Sequence, residues 1–165
     1  MAFDCFLKIE GIEGESSDKA HTNWIELLSF SHGMSQTTSS VVSTAGGATS
    51  SRINMQDFSI VKHFDKATPK LAEYCCTGKH IPSVKIEICR AGGDKLKYME
   101  YKLSNAIVSS VRPGGTSHGG DDVPLEEISF NFGKIEWTYT QQKRADGGGG
   151  GNVSAGWDLQ QNVKV

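Results

Sequence analysis

The stretch EEISFNFGKIEWTYTQQ, residues 126–142, carries two opposed alternations in one run. Before Gly133 the apolar residues are Ile128, Phe130 and Phe132. After it they are Ile135, Trp137 and Tyr139, one step out of phase. Side chains of a strand alternate between faces with a period of two, so a one-residue shift sends the apolar set to the other side. Gly133 therefore marks a bulge, or a point where a long strand passes from one sheet to another. Corners of this kind are what a barrel or a sandwich needs.

Neighbouring segments follow the same two-residue period. FDCFLKI places Phe3, Cys5, Leu7 and Ile9 on one face and Asp4 and Lys8 on the other, and VKIEIC does so with Val84, Ile86 and Ile88. In KYMEYKLSNAIVSSV the inward set is Met99, Tyr101, Leu103 and Ile107. One buried and one solvated face per strand is the habit of antiparallel sheets. In WIELLSFSHGMSQ, Leu28 and Phe30 take one phase while Leu27, Ser29 and Ser31 take the other, which leaves a small, hydroxylic outer face. Such a face sits against solvent, or lines a wide wet surface that tolerates many partners.

A single helix is expected near residues 68–77. Thr68 is placed to cap it, Pro69 suits its first position, Leu71, Ala72, Cys75 and Cys76 share a face, and Gly78 closes it. Three stretches, 35–52, 112–126 and 143–156, carry almost no core material and read as loops. Loops of this length are commonly functional, which points to binding at the strand ends.

The chain has 165 residues, enough for one domain, 1–165, with a real core. Its 17 basic and 19 acidic side chains nearly cancel, for a formal charge of −2. Nucleic acid is not an expected partner, because the basic stripe of a phosphate-backbone binder is missing. Nothing approaches a 20-residue apolar run, so membrane insertion is not expected. The opening MAFDCFLKIEG alternates and carries Asp4 where an export signal would be basic, so synthesis in the cytoplasm without a Sec leader is the expectation.

Reactive chemistry finds little support. Cys75 and Cys76, with His63 or His80 as base, form the one candidate for nucleophilic catalysis, but they lie toward the helix C-terminus, where the dipole disfavours thiolate. Cys5, Cys75, Cys76 and Cys89 lack C-x-x-C spacing and read as free thiols. His21, His32, His63, His80 and His118 lack ligand spacing and read as surface or turn residues. HGGDD, 118–122, reads as a polar loop tip. The glycine run at 147–151 is not followed by the Lys and Ser or Thr of a phosphate loop and reads as a connector to the last strand. No catalytic residue, metal site or cofactor is expected.

Several motifs in order then resemble a known family: MAFDCFLKIEGIEGESSDKAH at the start, GMSQ, NMQDFSIVKHFDKATPKL, C-x-x-GKH ending at His80, AGG, SS and GWDLQQNV. Nearly end to end, the chain resembles the haemolysin-coregulated protein (Hcp) family of the bacterial type VI secretion system. The resemblance implies a mainly β fold, a small antiparallel β-barrel of two sheets with one flanking α-helix, six copies of which close into a ring. It further implies that rings stack into an inner tube, that the tube is exported on sheath contraction, and that the lumen holds small effectors. The partners so implied are further copies of the chain, a spike protein, the sheath and the effectors.

By the same resemblance, Ser29 and Ser31 face the channel, and Thr38, Ser39, Ser40, Val41, Val42, Ser43 and Thr44 lie in a loop that reaches a neighbouring subunit or ring. Cys75 and Cys76 inherit a packing role. Two departures stand out: the 35–52 loop is rich in Ser and Thr where relatives have glycine, and His32 replaces a bulky aromatic. Two other readings compete: a free secreted effector or host-surface binder that uses the exposed loops, and an enzyme built on Cys75 or Cys76 with His80.

Overall fold

The computed structural model describes residues 2–37, 52–92, 95–118, 123–142 and 149–165. Its strands are β1 (Phe3–Ile9), β2 (Ile25–Leu27), β3 (Ser29–Ser31), β4 (Met34–Ser35), β5 (Asn54–Met55) and β6 (Phe58–His63). Helix α1 (Thr68–Thr77) follows, then β7 (Ile81–Arg90), β8 (Lys97–Gly114), β9 (Leu125–Asn131), β10 (Lys134–Gln142), β11 (Gly149–Asp158) and β12 (Val163–Lys164). Every pairing is antiparallel. One sheet runs β12-β11-β10-β8-β7-β1-β2, and the other runs β3-β6-β9-β8.

Gly133 is the expected crossing point. β9 before it pairs with β6 and the end of β8, and β10 after it pairs with β11 and the start of β8. The Gly133 amide donates to both Ser104 O and Asn105 O, at 3.1 and 3.2 Å. A Cβ at Gly133 would lie 3.3 Å from the Gln160 side chain and 3.4 Å from Asn105 Cβ. β8 turns at the same place, with Asn105 at φ 52°. A third crossing lies at Leu28, between β2 in the first sheet and β3 in the second. These crossings wrap the two sheets around one core and make a small barrel.

The crossings also explain where the period-two reading fails. The turn at Asn105 resets the phase of β8, so Ala106 and Val108 point inward and Ile107 is only half-buried. The bend at Leu28 leaves that side chain exposed, while Leu27 before it is buried and Phe30 after it packs on the core. β1 is covered on both sides: Phe6, which shares the phase of Asp4 and Lys8, is buried, and the end residue Phe3, expected on the inward face, is exposed. The core holds Leu7, Ile25, Phe58, Ile60, Val84, Ile86, Leu103, Ile128, Phe130 and Ile135 with no exposed surface. Each such side chain contributes about 1.5–3 kcal/mol by leaving water.

Helix α1 spans 68–77 as expected, but Ala67 holds the N-cap position with no side-chain cap. Thr68 is the first helical residue, which moves Pro69 to the second. Its Oγ1 accepts the Asp65 amide and donates to Glu126 Oε1 at 2.8 Å. The buried face is Leu71 and Tyr74. Ala72 and Cys76 are exposed, and only Cys75 packs in part against the core. Gly78 closes the helix at φ 66°, where glycine avoids the Cβ penalty.

Of the stretch 143–156, the described residues 149–156 are strand. β11 begins at Gly149 and pairs along β10, because ladder hydrogen bonds come from the backbone and need no apolar side chain. Likewise β8 extends to Gly114 and β9 starts at Leu125, which shortens the second loop.

Candidate functional site

The exposed face of the second sheet is made by alternation, reset on β8 by a bulge between Val108 and Ser110. Phe30, Ile60, Ile128 and Val111 align across β3, β6, β9 and β8 and turn toward the core. The residues after Phe30 and Ile128 and before Ile60 and Val111 must turn outward. They are all serines: Ser31 pairs with Ser59, Ser59 with Ser129, and Ser129 with Ser110. Residues directly opposite share a face, so the four hydroxyls form one row across the whole sheet. The Ser59 and Ser129 Oγ atoms are 2.8 Å apart and hydrogen-bonded.

Ser29 begins the adjacent row, which continues through Val61, Glu127 and Arg112. On the other side Asp57 accepts from Ser109 Oγ at 2.7 Å and from Asn131 Nδ2 at 3.0 Å. The face is thus flat and hydroxylated, with acid and base at its margins. Ser29 and Ser31 are both exposed on it. Ser59, Ser110 and Ser129 were not singled out from sequence; Ser59 and Ser129 lie in the outward phase of their strands, and Ser110 is turned outward by the bulge after Val108. Thr38, Ser39, Ser40, Val41, Val42, Ser43 and Thr44 lie outside the described residues.

Thiol chemistry is disfavoured by position. Cys76 is exposed and Cys75 half-buried, and no contact among the described residues joins either to the exposed His63 or His80. Cys89 Sγ lies 3.9 Å from His21 Nε2, but burial, with help from Glu87, pushes its pKa up to about 11. Burial, with Cys89 beside it, pushes Cys5 up to about 12. Groups so raised are poor nucleophiles.

His21 is not the surface residue expected. It is buried, stacked on Phe6 at 4.1 Å, with Nδ1 at 2.7 Å from Asp18 and Nε2 at 2.7 Å from Glu87. Its hydrogen bond, and that of Lys95, hold the Asp18 carboxyl below its ordinary range. The cluster ties the 10–24 segment to β7. Among the described residues no group of three or more His, Cys, Asp or Glu side chains could hold a metal ion, and no helix is long and apolar enough to cross a membrane.

Two antiparallel sheets wrapped on one core, with one flat hydroxylated face, define a small β-barrel protein. Residues 6–139 match the family described as type VI secretion system effector, Hcp. The chain is 41% identical to protein hcp1 of Pseudomonas aeruginosa over 166 residues, covering all of both chains. Its fold superposes on a solved type six secretion system protein with a TM-score of 0.93 at 34% identity, covering 99% of this chain and 100% of that one. It superposes on Hcp1 from Salmonella typhimurium with a TM-score of 0.80 at 32% identity, with complete coverage of both. The chain belongs to the Hcp family of the type VI secretion system. It is a tube protein of a secreted, self-associating family.

Proposed function

We propose that six copies close into a ring and that rings stack into the inner tube of the type VI apparatus. In this reading the ring assembles in the cytoplasm and leaves with the tube. Its serine row lines the lumen, and its role is structural and carrying, not enzymatic. The observation that carries the reading is the unbroken row Ser31, Ser59, Ser129 and Ser110. A wall of hydroxyls offers donors and acceptors to a passing protein without a deep pocket to grip it. That suits transient holding of small effectors of differing shape. The remaining partners are a spike protein and the sheath, and residues 38–44 form the contact between neighbouring subunits or rings.

Light scattering coupled to size exclusion tests the ring, with a mass near six times 17.9 kDa expected. A stable monomer at working concentration counts against it. Ser31→Gln tests the lumen: the longer amide alters the wall and not the core, so ring mass is unchanged and co-purified effector falls severalfold. Equal effector recovery from wild type and variant removes Ser31 from the carrying role.

A further inference from the structure

His32 stands at the joint between the barrel and the β4–β5 ladder. Its ring stacks on Phe58 at 5.4 Å with 25° between planes, and lies against Phe132 at 5.7 Å. Its Nε2 is buried and has no hydrogen-bond partner. The next residue, Gly33, accepts the Gln56 amide at 2.9 Å. Beyond it the ladder has two rungs, Met34 with Met55 and Ser35 with Asn54. An isolated two-stranded ladder is marginal in water, so its place depends on its anchors to the barrel: the His32 seat at its base, Met55 against the core and Arg52 on Leu159 O.

The charged groups near this seat are engaged elsewhere. On the β6 side Asp57 has both oxygens taken by Ser109 and Asn131. At the β9–β10 corner Lys134 lies 3.9 Å from Glu136. Below the ladder the Arg52 guanidinium donates to Leu159 O at 2.8 Å. The His32 pKa is lowered by burial alone.

We propose that His32 is an acid-released latch: its neutral ring fills the aromatic seat and fixes the base of the β4–β5 ladder on the barrel, and its protonated ring leaves the seat and loosens the ladder. A charged ring in this seat would carry a buried N–H with no acceptor, and a buried, unpaired charge is far costlier than a neutral ring. The ring therefore moves to water and takes Gly33 with it. The sign follows from the direction of the shift. With the folded pKa lowered, the latch holds fully above the ordinary histidine value of 6.5 and weakens as pH falls below it, down to the folded value.

Hydrogen exchange on the full-length protein between about pH 7.5 and 5, corrected for intrinsic rates, reads this inside one subunit. The Gln56 amide and the ladder amides are expected to lose protection by up to about tenfold per pH unit below 6.5, while the Ile86 and Leu103 amides keep theirs. His32→Phe fills the seat without titrating and is expected to keep the ladder protected at pH 5. Should that variant fail to fold, NMR titration of the wild-type imidazole decides alone, with ring and ladder changing at a shared midpoint below 6.5. The proposal is overturned by ladder protection that is flat across the range, or by a ring that titrates at 6.5 or above with the ladder intact. It is overturned equally if His32→Phe loses ladder protection with the pH dependence of wild type. Ring mass plays no part in this measurement, so its outcome is separate from that of the assembly reading.

Discussion

Lys62→Ala is expected to lower the unfolding free energy by about 3–5 kcal/mol. Lys62 and Glu126 are both fully buried, directly opposed across β6 and β9, and paired as ions. Lys62 Nζ also reaches Asp65 Oδ1 at 2.8 Å, His63 O at 2.9 Å and Thr68 Oγ1 at 3.4 Å. One ammonium thus gathers the end of β6, the turn into α1 and the first residue of that helix. Alanine leaves the Glu126 carboxylate buried with Thr68 as its remaining donor. The full cost of desolvating that charge is then exposed.

The pair itself is a different matter from its rupture. A Lys62→Met, Glu126→Leu double variant is expected to recover most of the loss, since an apolar pair of similar volume removes both buried charges. Chemical denaturation at equal protein concentration measures both, and an unchanged denaturant slope identifies the change as one of stability. A loss below about 1 kcal/mol for Lys62→Ala would mean that water reaches Glu126 and that the pair is not dry.

Phe58→Ala is the second large effect, also about 3–5 kcal/mol. Phe58 is fully buried and anchors an aromatic cluster, with Tyr101 at 5.2 Å, His32 at 5.4 Å and Phe30 at 6.0 Å between ring centroids. Alanine removes the ring partner of Phe30 on β3, His32 just beyond it and Tyr101 on β8, and the strands around it are too constrained by their ladders to collapse into the gap. The same change opens the seat of His32, so the His32 pKa is expected to return toward the ordinary histidine value. Thermal denaturation with NMR titration of His32 checks both. A variant that loses stability while His32 titrates as in wild type would separate the ring's environment from the cluster.

Much of the barrel was legible because its corners are written as phase errors. The flip at Gly133 could be read since both flanking runs are long and strongly apolar. The turn at Asn105 was hidden, because Ala106 is small and Ile107 and Val108 are both apolar, so alternation alone could not choose between them. Leu27 and Leu28 posed the same ambiguity at the third corner.

Charged and polar residues inside the protein were less visible. Lys62 falls in the inward phase of FSIVKHF and Glu126 in the inward phase of EEISF, so each strand ends its apolar series on an opposite charge. That coincidence was a readable signal of a buried pair. His21 left a weaker trace: Asp18 stands three residues before it, but Glu87, the partner on β7, meets it only through the tertiary fold. The serine row was legible one strand at a time. Its continuity across four strands depends on register, which the strand sequences alone leave open.

β8 belongs to both sheets, running 18 residues from its pairing with β7 and β10 to its pairing with β9. At about 3.3 Å per residue it is a covalent tie of roughly 60 Å, bent once at Asn105. A pull applied to either sheet passes to the other along this backbone and not only through side-chain contacts. Along the strand direction, the ladder bonds on its flanks share the load in shear, so they must fail together instead of one at a time. A subunit strung on such a tie resists tension along β8 as a single mechanical element.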